Sequence, residues 1–141
     1  MEHIERAVEI EVPVEMAYHH WSRFEAFPSF MAGIESVRWL DDSRLHWVAR
    51  IGEQRREWVT QITDMVPQQR IAWQSEGGEE HAGLVTFQPL GPNRTRVVVQ
   101  LMYEPEGLVE TIGDMLGVVG RRVETDLLCF KDFVEGRARE T

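Results

Sequence analysis

The sequence predicts an α+β fold in the order strand, two short helices, six strands, long helix. Three observations lead there. A segment near the N-terminus alternates apolar and acidic residues; from residue 34 onward short apolar and aromatic runs recur between polar turns; and from about residue 108 the apolar spacing changes to three and four. Six successive strands joined by short turns imply an antiparallel meander, and a closing amphipathic helix must bury its apolar stripe against that sheet.

The first strand is read over residues 4–12, where Ile4, Val8, Ile10 and Val12 point one way, Arg6 interrupts them, and Glu5, Glu9 and Glu11 point the other. Pro13 ends it and suits the start of a helix, because its missing N–H is not needed there. Met16, Ala17, His20, Trp21 and Phe24 then recur at helical steps, giving a helix over about 14–23 and a short helical turn broken by Pro28. Six strand signals follow: "ESVRWL", "RLHWVARI", "EWVTQITDMV", "RIAWQS", "AGLVTFQPL" and "RVVVQLMYE", separated by Asp41-Asp42-Ser43, "GEQRR", "PQQ", "EGGEE" and "GPNRT". Pro105, Glu106 and Gly107 introduce the last helix, which runs to about Val134. Leu108, Ile112, Met115, Leu116, Val119, Val123, Leu127, Phe130 and Val134 form its apolar face.

That helix carries Gly113, Gly117 and Gly120, each costing a helix interior about 0.8–1 kcal/mol relative to alanine. At 100° per residue they share one stripe beside the apolar face. Two readings stay open: a neighbouring backbone approaches closely there, or side-chain volume is missing where a ligand or loop must pass.

With 141 residues and a formal charge of −9, the chain has the size of one domain spanning 1–141, and its acidic surface argues against nucleic acid. The N-terminus has neither the basic start nor the apolar run of a signal peptide, and no apolar stretch is long enough to cross a bilayer. A single cysteine, Cys129, forbids an internal disulfide and points to the cytoplasm. It lies between Leu128 and Phe130 and reads as an inert packed thiol. His19 and His20 diverge by about 100° on a helix, and no ligand spacing recurs, so neither metal nor cofactor is expected. An exposed edge strand would allow a homodimer; otherwise the chain is a monomer.

Trp47, Trp58 and Trp73 fall mid-strand on the face shared with Leu45, Ala49, Thr60, Ile62 and Ile71, matched by Val85, Phe87, Val97, Val99, Leu101 and Tyr103. Such rings fill a core or line a pocket. The segments "IEVPVEMAYHHWSRFEAFPSFMAGIESVRWLDD", "LHWVARIGEQRREWVTQITDMVPQQRIAWQS", "GLVTFQPLGPNRTRVVVQLMYEP" and "GRRVETDLLCFKDFVEG" resemble the bacterial polyketide cyclase/dehydrase group of the START-like, Bet v 1-like (SRPBCC) superfamily. The most specific parts are Pro-Val-Glu, Phe-Pro-Ser-Phe-Met, Arg-Ile-Ala-Trp, Thr-Phe-Gln-Pro-Leu-Gly and Arg-Arg-Val-Glu-x-Asp-Leu. The resemblance implies a helix-grip fold: a curved seven-stranded antiparallel sheet wrapped around the long C-terminal helix, with an apolar cavity between them. It also places the glycine stripe at the cavity entrance, opposite "FPSFM".

The resemblance implies binding of a hydrophobic small molecule such as a lipid, quinone or polyketide. Alternatives are a polyketide cyclase/dehydratase acting on a poly-β-ketone and a quinone-associated interaction module. The candidate ligand-binding residues are Phe27, Phe30 and Met31 as a lid; Trp47, Trp58, Thr60, Trp73, Phe87, Val99 and Tyr103 as the sheet wall; and Met115, Leu116 and Val119 as the helix wall. Strand periodicity puts His46, Arg50, Glu57 and Gln61 outside. Only Thr60 and Tyr103 bring hydroxyls to the inner face, and no residue is assigned a catalytic role. Arg121, Arg122, Glu124 and Asp126 read as a solvated helix face with i,i+4 pairing.

Overall fold

The computed structural model describes residues 2–31, 33–51, 54–76, 81–103 and 115–140. The first strand, β1, runs Glu2–Ile10, two residues nearer the N-terminus than alternation alone places it. Its pairing partner decides this: Glu2 lies opposite Tyr103 and Ile10 opposite Thr95. Val12 is buried beyond the strand end, where its carbonyl accepts a 2.9 Å hydrogen bond from the buried Thr95 hydroxyl. Helix α1 (Val14–Trp21) starts at Pro13, whose carbonyl accepts from the amides of Met16 and Ala17 at 3.1 Å. A 3₁₀ helix over Phe24–Ser29 follows and contains Pro28.

The six remaining strands are β2 (Ile34–Trp39), β3 (Arg44–Ile51), β4 (Gln54–Val66), β5 (Arg70–Glu76), β6 (His81–Gly91) and β7 (Arg94–Tyr103). They form one antiparallel sheet of order β1-β7-β6-β5-β4-β3-β2. Strand β4 begins three residues earlier than "EWVTQITDMV" indicates. Its polar start belongs to the strand because Arg55 on the exposed face pairs with Glu35 and Glu57, each at 3.2 Å. Register shifts between Ile34 and Ser36, Ile62 and Asp64, and Pro89 and Gly91 bend the strands, and the sheet curls around the C-terminal helix as the helix-grip expectation requires.

That helix, α2, is described from Met115 to Glu140 and so continues past Val134, its expected end. The added turn is anchored: Phe133 and Ala138 pack on the core, Arg137 lies 5.0 Å from the Phe133 ring centre, and Lys131 pairs with Glu135 at 2.7 Å. The expected helix start at 105–107 lies outside the described residues. Ile10, Val12, Ala17, Leu45, Ile71, Val85, Val97, Leu127, Phe130 and Val134 form the heart of the core between sheet, α1 and α2.

Side chains engage several backbone groups at the two edge strands. Along β1, Lys131 donates to the Glu9 carbonyl at 2.9 Å, Arg6 donates to the Glu5 carbonyl at 2.8 Å, and just past the strand the Glu11 amide donates to Glu135 at 2.9 Å. On β2 the Trp39 amide donates to Glu25 of the 3₁₀ helix at 3.4 Å. Lys131 and Glu135 of α2 and Glu25 of the 3₁₀ helix thus tie the edges to the helices, and Arg6 closes on its own strand.

Candidate ligand-binding site

The site is built from the concave face of β3, β4 and β5. Cross-strand register sets Leu45 beside Thr60, Trp47 beside Trp58, and Ile62 beside Trp73. The Trp47 and Trp58 rings are parallel to within 2°, with centres 6.0 Å apart. Trp47 is half-buried against the core, and its indole N–H donates to Thr60 Oγ1 at 2.8 Å. Thr60 is only 2% exposed, and among the described residues its own hydroxyl hydrogen has no acceptor. Trp73 is pressed flat across β6 because Gly83, its neighbour in register, has no side chain; a Cβ there would collide with the indole. Phe87 and Val99 are buried further along the same face.

The segment expected to act as a lid is stitched into the protein. Phe27 and Met31 are buried. The Phe27 ring meets Trp21, Phe24, Phe30 and Trp47 at 5.5–5.9 Å between centres. Phe30 remains half-buried and stacks on Phe133 of α2, 4.5 Å away and tilted by 24°. The side chains of Tyr103, Met115, Leu116 and Val119 lie outside the described residues, as do Gly113 and the tip of "EGGEE".

Charged groups complete the surroundings. His46 sits 3.1 Å from Glu57, and Arg50 3.3 Å from Glu35, on the convex side where alternation puts them. Arg6, the exception in the β1 pattern, faces α2 and pairs with Glu124 at 2.8 Å. Arg122 and Asp126 do form the expected i,i+4 pair, at 3.5 Å, but they are not a solvated face. The Arg122 guanidinium lies against Gly33, whose φ of +91° already excludes most side chains. Burial pushes the Asp126 carboxyl up to about 6, against the opposing pull of Arg122. Burial likewise lowers His20, helped by the neighbouring charges of His19, Arg23 and Arg137, and raises Tyr18, whose ring meets Phe87 edge-on.

Arg122 and Phe133 mark the edge of α2 that meets the 3₁₀ segment and Gly33, whereas Glu124 and Lys131 mark the edge along β1. The surroundings of Gly117 and Gly120 lie outside the described residues, as does Gly113.

Arg56 was legible but hidden in the "GEQRR" turn. It belongs to β4, pairs with Ala49 and alternates with Trp58 and Thr60, so it stands on the concave face. Two surface depressions lie elsewhere: one of about 390 Å³ between Ser22–Ala26 and Trp39, and one of about 240 Å³ between Arg6, Val8, Glu124 and Leu128. Among the described residues no group of three or more His, Cys, Asp or Glu could hold a metal, and no helix is long and apolar enough to cross a membrane.

The family model described as "Polyketide cyclase / dehydrase and lipid transport" matches residues 10–132. The chain belongs to this family. This polyketide cyclase/dehydrase family member is 41% identical to an uncharacterized 17.2 kDa protein of Streptomyces lincolnensis, over all of this chain and 95% of that one. A crystal structure from Deinococcus radiodurans is 31% identical, with a TM-score of 0.70 over 93% of this chain and 95% of that one. The Zhui aromatase/cyclase from a Streptomyces species shares the fold of the family member at a TM-score of 0.86, covering 97% and 95% of the two chains, with 16% identity.

Proposed function

We propose that the protein binds a hydrophobic small molecule between the tryptophan wall and α2. The observation that carries this reading is the Trp47–Trp58 stack with Thr60 at its side. Large rings left half-buried on a concave face give an apolar ligand surface to cover, and one buried hydroxyl supplies a directional contact to a ligand oxygen. The family description and the helix-grip fold agree with a lipid, quinone or polyketide as the occupant.

Cyclisation or dehydration of a polyketide is the second reading that the family description supports. It needs a group to take up a proton and a donor to the developing enolate. The described sheet wall offers the hydroxyls of Thr60 and Ser75 and the Arg56 guanidinium as donors. Native mass spectrometry of freshly purified protein, followed by denaturing extraction, tests the binding reading: a retained apolar molecule is expected. Trp58→Ala and Phe30→Ala variants that stay folded and still bind apolar probes with unchanged affinity would rule out this wall.

A further inference from the structure

Two arginines from different elements border one corner of the wall. Ile34, Ala49 and Arg56 form a single row across β2, β3 and β4. With neighbouring strands about 4.8 Å apart, Arg56 lies within about 10 Å of Ile34 along that row. Gly33 immediately precedes Ile34, and the Arg122 guanidinium rests on Gly33. Arg56 therefore stands on the sheet two strands from Ile34, and Arg122 reaches from the helix to the residue just before it, so the two border the same corner. Both are half-buried, in a chain whose formal charge is −9.

We infer that this corner receives an oxyanion, so that the ligand is an amphipathic acid with its head at Arg56 and Arg122 and its apolar body along Trp58 and Trp47. The inference rests on the binding function proposed above and narrows its ligand class. Guanidinium groups suit a carboxylate or phosphate, because their N–H donors match its oxygens in pairs. Partial burial strengthens such a contact relative to one in open solvent. Arg56 and Thr60 stand four residues apart on the same face of β4, about 13 Å at strand rise, which sets the length of apolar body between the head and the hydroxyl. Both arginines already have contacts within the chain, and the incoming oxyanion exchanges with them. For Arg122 one of these is Asp126, a carboxylate that burial already disfavours.

The test uses dansyl-labelled undecanoic acid and its methyl ester, which share fluorophore and chain and differ in head charge. Both are expected to bind the full chain, the acid about tenfold more tightly. Arg56→Gln and Arg122→Gln are each expected to lower the acid-over-ester preference several-fold, and Arg122→Lys to retain part of it. Because the preference is a ratio measured on one protein, general damage to folding does not imitate the result. Equal binding of acid and ester, or a preference unmoved by either glutamine variant, would overturn the oxyanion head and leave the apolar wall standing. Failure of both probes would remove the apolar wall, and the oxyanion head with it.

Discussion

The space between sheet and α2 has two unlike halves. Around Phe130, Val134, Ile10, Val12 and Phe87 the packing is dry: Phe130, Val134, Ile10 and Val12 are fully buried, and Trp21 meets the Phe130 ring at 4.8 Å. Around Trp47, Trp58 and Trp73 the rings are larger but only half-buried, and Thr60 brings a hydroxyl beneath them. Both halves arise from the same alternation of apolar residues. In the first, α1 and the C-terminal part of α2 press together on the sheet, so alternation yields core. In the second, Trp47 and Trp58 stack on each other and Trp73 lies over Gly83, and the same alternation leaves the rings half-buried. An apolar pattern in sequence thus reports which way a side chain points, while the number of elements covering it decides whether it is structural or available.

The sharpest way to break this comparison is to truncate one ring on each side. Phe130→Ala is expected to cost about 3–5 kcal/mol in urea unfolding, the price of a cavity in close-packed core. Trp58→Ala is expected to cost less than half of that while weakening binding of apolar probes; equal destabilisation by the two variants would make the wall ordinary core.

Asp126 marks the border of the dry half, and its titration gives the next largest effect. Its carboxyl stands at about 6 in the folded protein against an ordinary 3.8. The folded state therefore holds the proton more tightly, and stability is lost as pH rises from the ordinary value through the folded one. Above that window the cost is at most about 3 kcal/mol. Asp126→Asn is expected to raise the melting temperature at neutral pH and to flatten the acid-side pH dependence. An unchanged slope would show that Asp126 is not the group responsible.

Thr60→Val tests the polar point of the wall. It leaves the Trp47 indole N–H without its acceptor and is expected to cost about 1–3 kcal/mol, with a shift in tryptophan emission, whereas Thr60→Ser retains both. The smallest effect belongs to the Arg6–Glu124 bridge, whose side chains are 37% and 55% exposed. Glu124→Gln is expected to change stability by less than about 1 kcal/mol, and high salt should erase the difference. A larger loss would mean that the β1 edge of α2 is as tightly fixed as the edge carrying Phe133.

Much of the candidate site was legible because a strand's period of two is unambiguous. Trp47, Trp58, Thr60 and Trp73 could be set on one face from spacing alone, and His46, Arg50 and Glu57 on the other. Arg56 was missed although the same period includes it, because a run of polar residues reads as a turn when nothing shows how far the hairpin pairing extends. Arg122 and Asp126 were misread for a different reason. Their i,i+4 spacing is that of an exposed helical pair, and nothing local shows that Arg122 rests against Gly33, some ninety positions away.

By itself the sequence determined the order of elements, the antiparallel meander and the inward direction of the tryptophans, since these depend on local spacing and turn chemistry. Tertiary structure decided where each strand stops, that Trp73 lies flat over Gly83, and that Arg122 of α2 rests on Gly33 beside the row that carries Arg56. Those features depend on cross-strand register and on which edge of α2 meets which neighbour, distances that no local pattern encodes.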